Sequence, residues 1–179
     1  MFRFCEGTMK VCARHFNLYL AALVLLCGCQ TDKPKENFSA LRIHLETAPA
    51  TQSTQPVSFL RSDPVTVNIA NDPILTEANV VAAKVIGVPG GFAVEVRLDE
   101  SGTWTLENYS SSNPGKHLVI FGQWGEKLAE GRWLAAPQIT HRMANGVLSF
   151  TPDMSPEEAS QFVLGLNNNA KKIAGGLLK

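Results

Sequence analysis

The stretch VVAAKVIGVPGGFAVEVRLDESG, Val80 to Gly102, decides the fold. Val80 to Val88 and Phe92 to Leu98 are β-branched and apolar runs, and Pro89-Gly90-Gly91 between them supplies the residues that turn one strand back onto the next. After Asp99 the spacing changes from two to about 3.6. Thr103, Leu106 and Tyr109 with Ser110 then share one face of a short helix, which Asp99 or Ser101 can cap and which Ser111-Ser112-Asn113-Pro114-Gly115 ends.

The same logic extends in both directions. Towards the N-terminus, Leu41-Arg42-Ile43-His44-Leu45 alternates as a half-buried strand and Thr47 to Gln55 reads as a polar loop. Val65, Val67 and Ile69 alternate as another strand before the Asn71-Asp72-Pro73 turn. Towards the C-terminus, strands are expected at His117 to Gly122, around Arg132-Trp133-Leu134, and at Gly146 to Phe150, the first two linked by a polar loop. Ser155-Pro156-Glu157-Glu158 is a capping box with proline at the first helical position, and Ala159, Phe162, Val163 and Leu166 follow at helical spacing. Many strands with two interspersed helices make an α+β fold, mainly antiparallel sheet with two helices packed against it.

The first 28 residues read differently. Arg3, Lys10 and Arg14 precede an uncharged run from Phe16 to Leu26, the length of a signal-peptide apolar region and short of the ~20 residues of a membrane span. Leu26-Cys27-Gly28-Cys29 closes that run as a bacterial lipoprotein box: Leu26 and Gly28 suit signal peptidase II, although Cys27 is an unusual occupant of the middle position. The alternative is an ordinary secretory signal with a chance cysteine. The expected organisation is therefore a lipoprotein signal peptide over 1–28, a lipidated flexible tether over 29–39, an α+β domain over 40–173 and a tail over 174–179, with acyl chains on Cys29 as the membrane attachment. Gln30, rather than aspartate, after Cys29 favours the outer membrane of a diderm over inner-membrane retention.

Composition narrows the chemistry. All four cysteines lie at or before Cys29, so acylation there leaves no free thiol, disulfide or cysteine metal site in the mature chain. Three of the sixteen Lys and Arg and one of the sixteen Asp and Glu precede Cys29, leaving a formal charge of −2 and no basic footprint for nucleic acid. His44, His117 and His141 fall in no paired ligand spacing, and no G-x-S-x-G elbow occurs. Ser110 to Ser112 near Lys116 fit a helix terminus with a solvated lysine better than a Ser-Lys dyad, and Glu157 and Glu158 are explained by capping. No catalytic residue, metal or cofactor is expected. Trp124 and Trp133 read as core or platform residues. Trp104 lies off the Thr103/Leu106/Tyr109 face, where an exposed ring suits an extended polypeptide or sugar, packing against a neighbouring loop being the bland alternative.

From about Val65 to Leu166 these pieces resemble, in order, the head of the large periplasmic domain of SecD, a subunit of the Sec protein-export machinery. The resemblance rests on Pro73-Ile74-Leu75-Thr76, Ala82-Ala83-Lys84-Val85, Leu98-Asp99-Glu100-Ser101-Gly102, Ser110 to Lys116, Ala135-Ala136-Pro137-Gln138-Ile139, Gly146, and Ser155-Pro156-Glu157-Glu158-Ala159. Ser110 stands where the family has threonine, Ala135 where it has serine, and the Gly122 to Gly131 hairpin is longer than its short D-G turn. SecD continues from this head into transmembrane helices, whereas the present sequence runs out at Ala174-Gly175-Gly176-Leu177-Leu178-Lys179. The resemblance implies the head fold and contact with unfolded polypeptide, without proton-coupled membrane machinery.

Three functions follow as expectations. One is a lipid-anchored, non-enzymatic envelope module that faces the periplasm and contacts exported polypeptide or the Sec translocase, with Trp104 as a contact. Another is an assembly lipoprotein that binds a folded envelope partner or itself. The third is an envelope hydrolase, for which no residue spacing speaks.

Overall fold

The computed structural model describes residues 37–48, 53–60 and 62–176, all within one compact unit, Glu36–Lys179. The signal-peptide and cleavage-box reading, Cys29 included, lies outside the described residues. In chain order the elements are β1 (Ala40–Leu45), β2 (Thr54–Phe59), β3 (Val65–Ala70), β4 (Leu75–Thr76), β5 (Val80–Val88), β6 (Gly91–Leu98), α1 (Glu100–Ser112), β7 (Leu118–Trp124), β8 (Glu130–Ala135), β9 (Val147–Phe150) and α2 (Pro156–Gly176). They form antiparallel sheets in the orders β4-β1-β7-β8, β2-β3 and β5-β6-β9, with two helices, which is the α+β architecture read from the sequence. No helix among the described residues is long and apolar enough to cross a membrane.

The β5–β6 hairpin pairs from Val80↔Leu98 to Val88↔Gly91, closing on a two-residue turn of Pro89 and Gly90. Gly90 has φ +85°, which a type II turn requires after proline and which an L side chain would resist. Asp99 then caps α1, its Oδ1 accepting from Gly102 N–H at 2.6 Å. At α2, Ser155 Oγ accepts from Glu158 N–H at 3.2 Å while Glu158 Oε2 accepts from Ser155 N–H at 2.7 Å, the reciprocal pair of a capping box. The Glu158 carboxylate also takes an ion pair from Arg132 of β8.

The core forms where α2 lays Ala159, Phe162, Val163 and Leu166 against Leu41 and Ile43 of β1, Ile120 of β7, Leu134 of β8 and Val94 and Val96 of β6, all buried. Trp124 meets Phe162 edge to face with ring centroids 6.0 Å apart. The close approach of helix and sheet needs Gly122, because a Cβ there would run into Leu134 and lie 3.0 Å from the Phe162 ring.

Three readings change. Part of the expected Thr47 to Gln55 loop is strand: Thr54 and Gln55 begin β2, which pairs with β3 from Thr54↔Ala70 to Phe59↔Val65. β1 buries His44 as well as its apolar face, while Arg42 stays exposed. Leu41 and Ile43 enter the main core, whereas His44 is buried beside Trp133, near a second cluster of Val57, Ile69 and Val119 that the β2–β3 hairpin covers. The last helix continues through Gly176, past the expected end of the domain at residue 173.

Candidate functional site

α1 separates its faces sharply. Gly102, Leu106 and Ser110 are buried. Gly102 sits where an added Cβ would come within 3.0 Å of Asn79 and of the Asp99 carboxylate, so the first turn lies close over the residue that leads into β5. Ser110 Oγ donates to Glu107 C=O at 3.1 Å and accepts from Met143 N–H at 2.9 Å, and Glu107 forms an ion pair with Arg142. These bonds fasten the helix and fix which residue points away. That residue is Trp104, 68% exposed, the most exposed large apolar side chain among the described residues. Ser101 and Asn108, one turn away on either side, are exposed too. A tryptophan holds much more apolar surface than its polar surroundings, and two thirds of this one is left uncovered by the described residues.

The other sequence candidates are occupied. Ser110 is engaged as described and Lys116 Nζ donates to Asn113 Oδ1 at 2.9 Å, so the two form no dyad. Glu158 serves the cap and Arg132. Trp124 is buried under the Arg132 guanidinium, 4.8 Å above its ring, and Trp133 packs against Phe121 and His44. His44 holds the β2–β3 hairpin through its Nδ1, 2.8 Å from the Ala70 carbonyl. Burial, which disfavours the imidazolium, pushes its pKa below 6.5 against the opposing pull of that carbonyl. His141 Nδ1 lies 3.0 Å from the Thr140 hydroxyl in a loop. Among the described residues no group of three or more His, Cys, Asp or Glu gathers as a metal site.

Sequence reasoning missed three features that only tertiary contact creates. Glu46 Oε2 accepts from both the backbone N–H of His117, at 2.9 Å, and its ring Nδ1, at 2.6 Å, joining the end of β1 to the start of β7 across 71 positions. A cleft of about 570 Å³ opens between the ends of β2, β5, β8 and β9, walled by Phe59, Leu60, Ala135, Pro137 and Phe150. A second, of about 510 Å³, runs between Val80 and Val81 and the last turns of α2 at Ala170, Ile173 and Ala174. Each draws its walls from elements far apart in the chain, and no local motif announces such a surface.

The described geometry matches that of known proteins. The family model for the SecDF P1 head subdomain matches residues 52–171. A crystal structure of SecDF in a super-membrane-facing form superposes with a TM-score of 0.52 at 20% identity, over 73% of this chain and 19% of that one. The chain thus spans about a fifth of that protein's length. A second structure, of SecDF described as a membrane component that enhances protein export, also gives 0.52, at 17% identity over 93% of this chain and 71% of that one. No curated protein matches the sequence.

Proposed function

The chain belongs to the SecDF P1 head subdomain family, and from that premise we propose that it is a non-enzymatic binding module of the cell envelope, facing the periplasm and contacting exported polypeptide or the Sec translocase. The observation that carries this reading is Trp104, held outward by a helix whose inner face is fully committed. A relative described as enhancing protein export supplies the class of partner. Anchoring by acyl chains on Cys29, preferentially at the outer membrane, completes the proposal and rests on Leu26 and Gly28 of the cleavage box.

Binding is favoured over hydrolysis by how the polar side chains are used. Ser110, Glu158 and His44 satisfy backbone groups or close an ion pair, so none stands free beside a cleft with a base in reach. A contact made through one aromatic anchor and a mobile client has modest affinity, because ordering the client consumes part of the contact energy.

The test is in-cell photocrosslinking from position 104 and from the Gly125 to Ala129 connection between β7 and β8 of the full chain. Adducts at position 104 with precursors of secreted proteins, absent when export is blocked, are expected. Adducts confined to one folded envelope protein, or to a second copy of the chain, would replace this reading with an assembly role.

A further inference from the structure

The free edge of β5 is closed along one half and open along the other. On the closed half, Ala83 turns its N–H and C=O away from β6, and both meet the carboxamide of Asn167 on α2: Oδ1 accepts from the N–H at 2.9 Å and Nδ2 donates to the C=O at 2.9 Å. The ladder shifts register between Val80 and Ala82, and α2 lies over Val80 and Val81. A bulge and a covering helix are the means by which sheets protect an edge.

Beyond Ala83 the protection stops. Residues along an antiparallel strand alternate between bonding the partner with both backbone groups and turning both away. Pairing runs without a shift from Ala82↔Arg97 to Val88↔Gly91, so Val85 and Gly87 face outward like Ala83. Val85 is 37% exposed, a Cβ on Gly87 would meet nothing within 4 Å, and no bond to the outward groups of either residue is formed among the described residues. Two outward donors and two outward acceptors at a spacing of two residues match an extended main chain. Asn167 already shows the edge holding an amide in that way, since its C=O and N–H bond one residue as the peptide groups of an added strand would.

The charges beside the edge narrow the occupant. Lys84, which projects on the face opposite Val85, has its ammonium 2.8 Å from Glu95 and a side chain 62% exposed. Arg97 on the same face of β6 is exposed and has no partner among the described residues. Lys84 and Glu95 pair beside a hollow of about 260 Å³ that Arg97 also lines, so this face carries two cations and one carboxylate. A strand laid along Val85 to Gly87 would place a side chain across from Lys84, where opposite charge stabilises and like charge repels.

We propose that the Val85 to Gly87 edge is a strand-addition site that takes an extended segment of another polypeptide carrying a carboxylate across from Lys84. This rests on the polypeptide-binding reading above and adds to it a binding mode, a place and a side-chain preference.

The test titrates the full chain with a blocked nine-residue peptide of alternating Thr and Val with Glu at its centre. Val85→Pro removes the outward N–H without taking a bond from the β5–β6 ladder, and should weaken binding about tenfold. N-methylation of alternate peptide nitrogens should do the same with the wild-type chain, which decides the matter if the proline variant does not fold. A Lys-centred peptide should bind several-fold more weakly than the Glu-centred one, and Lys84→Gln should erase that difference. Binding of an unfolded, carboxymethylated secretory protein that is insensitive to Val85→Pro, together with peptide affinity insensitive to N-methylation, overturns the strand-addition site and leaves the broader reading intact. Failure of both the secretory protein and the peptide to bind overturns the two together.

Discussion

The two helices begin alike, each with a side-chain oxygen on its first free N–H groups, and then part company. α2 buries Ala159, Phe162, Val163, Gly165 and Leu166, a continuous ridge against strands of two sheets. α1 buries Gly102, Leu106 and Ser110, of which Leu106 alone is a large apolar residue, and is held largely by Asp99, the Ser110 hydroxyl and the Glu107–Arg142 pair. Apolar burial stabilises in proportion to area, whereas individual hydrogen bonds contribute about 1 kcal/mol each. α2 therefore carries the fold and α1 presents a surface. The difference teaches that Trp104 can be free for a partner because the core does not depend on its helix's outer face.

Substitutions can break this contrast. Phe162→Ala should have the largest effect, a loss of about 3–5 kcal/mol in denaturant unfolding, since it empties the space between Trp124, Leu134 and Gly122. Asp99→Ala should cost about 1 kcal/mol by leaving Gly102 N–H without its acceptor. Gln161→Ala on the outer face of α2 and Trp104→Ala on that of α1 should each stay within about 0.5 kcal/mol. If Trp104→Ala unfolds the domain as readily as Phe162→Ala, the two helices do the same work and the contrast falls.

What the sequence could reveal follows from how local each feature is. The β5–β6 hairpin, the Asp99 cap and the Ser155–Glu158 capping box are each written within a few residues, and each appears where expected. β2 was not legible: Thr54-Gln55-Pro56-Val57-Ser58-Phe59 buries only Val57, has proline in its middle and is a strand because β3 pairs with it. The burial of His44 depended on the same hairpin, since alternation in β1 cannot say that a second layer covers the outer face. At the candidate site, the 68% exposure of Trp104 decides between an outward ring and packing on a neighbouring loop, and only its place off the Thr103/Leu106/Tyr109 face was legible from helical spacing. The clefts and the open edge of β5 were not, because Asn167 reaches Ala83 across 84 positions and nothing near either residue encodes that contact.

The central claim is that Trp104 serves binding and not folding, and titration calorimetry of the full-length wild type and Trp104→Ala against an unfolded, carboxymethylated secretory protein tests it most directly. The account predicts a loss of about 1–3 kcal/mol in binding with the unfolding transition unchanged, as for an anchor residue at the centre of a contact. Equal affinity for the two proteins, or preference of the wild type for the folded form of the same secretory protein, would contradict it.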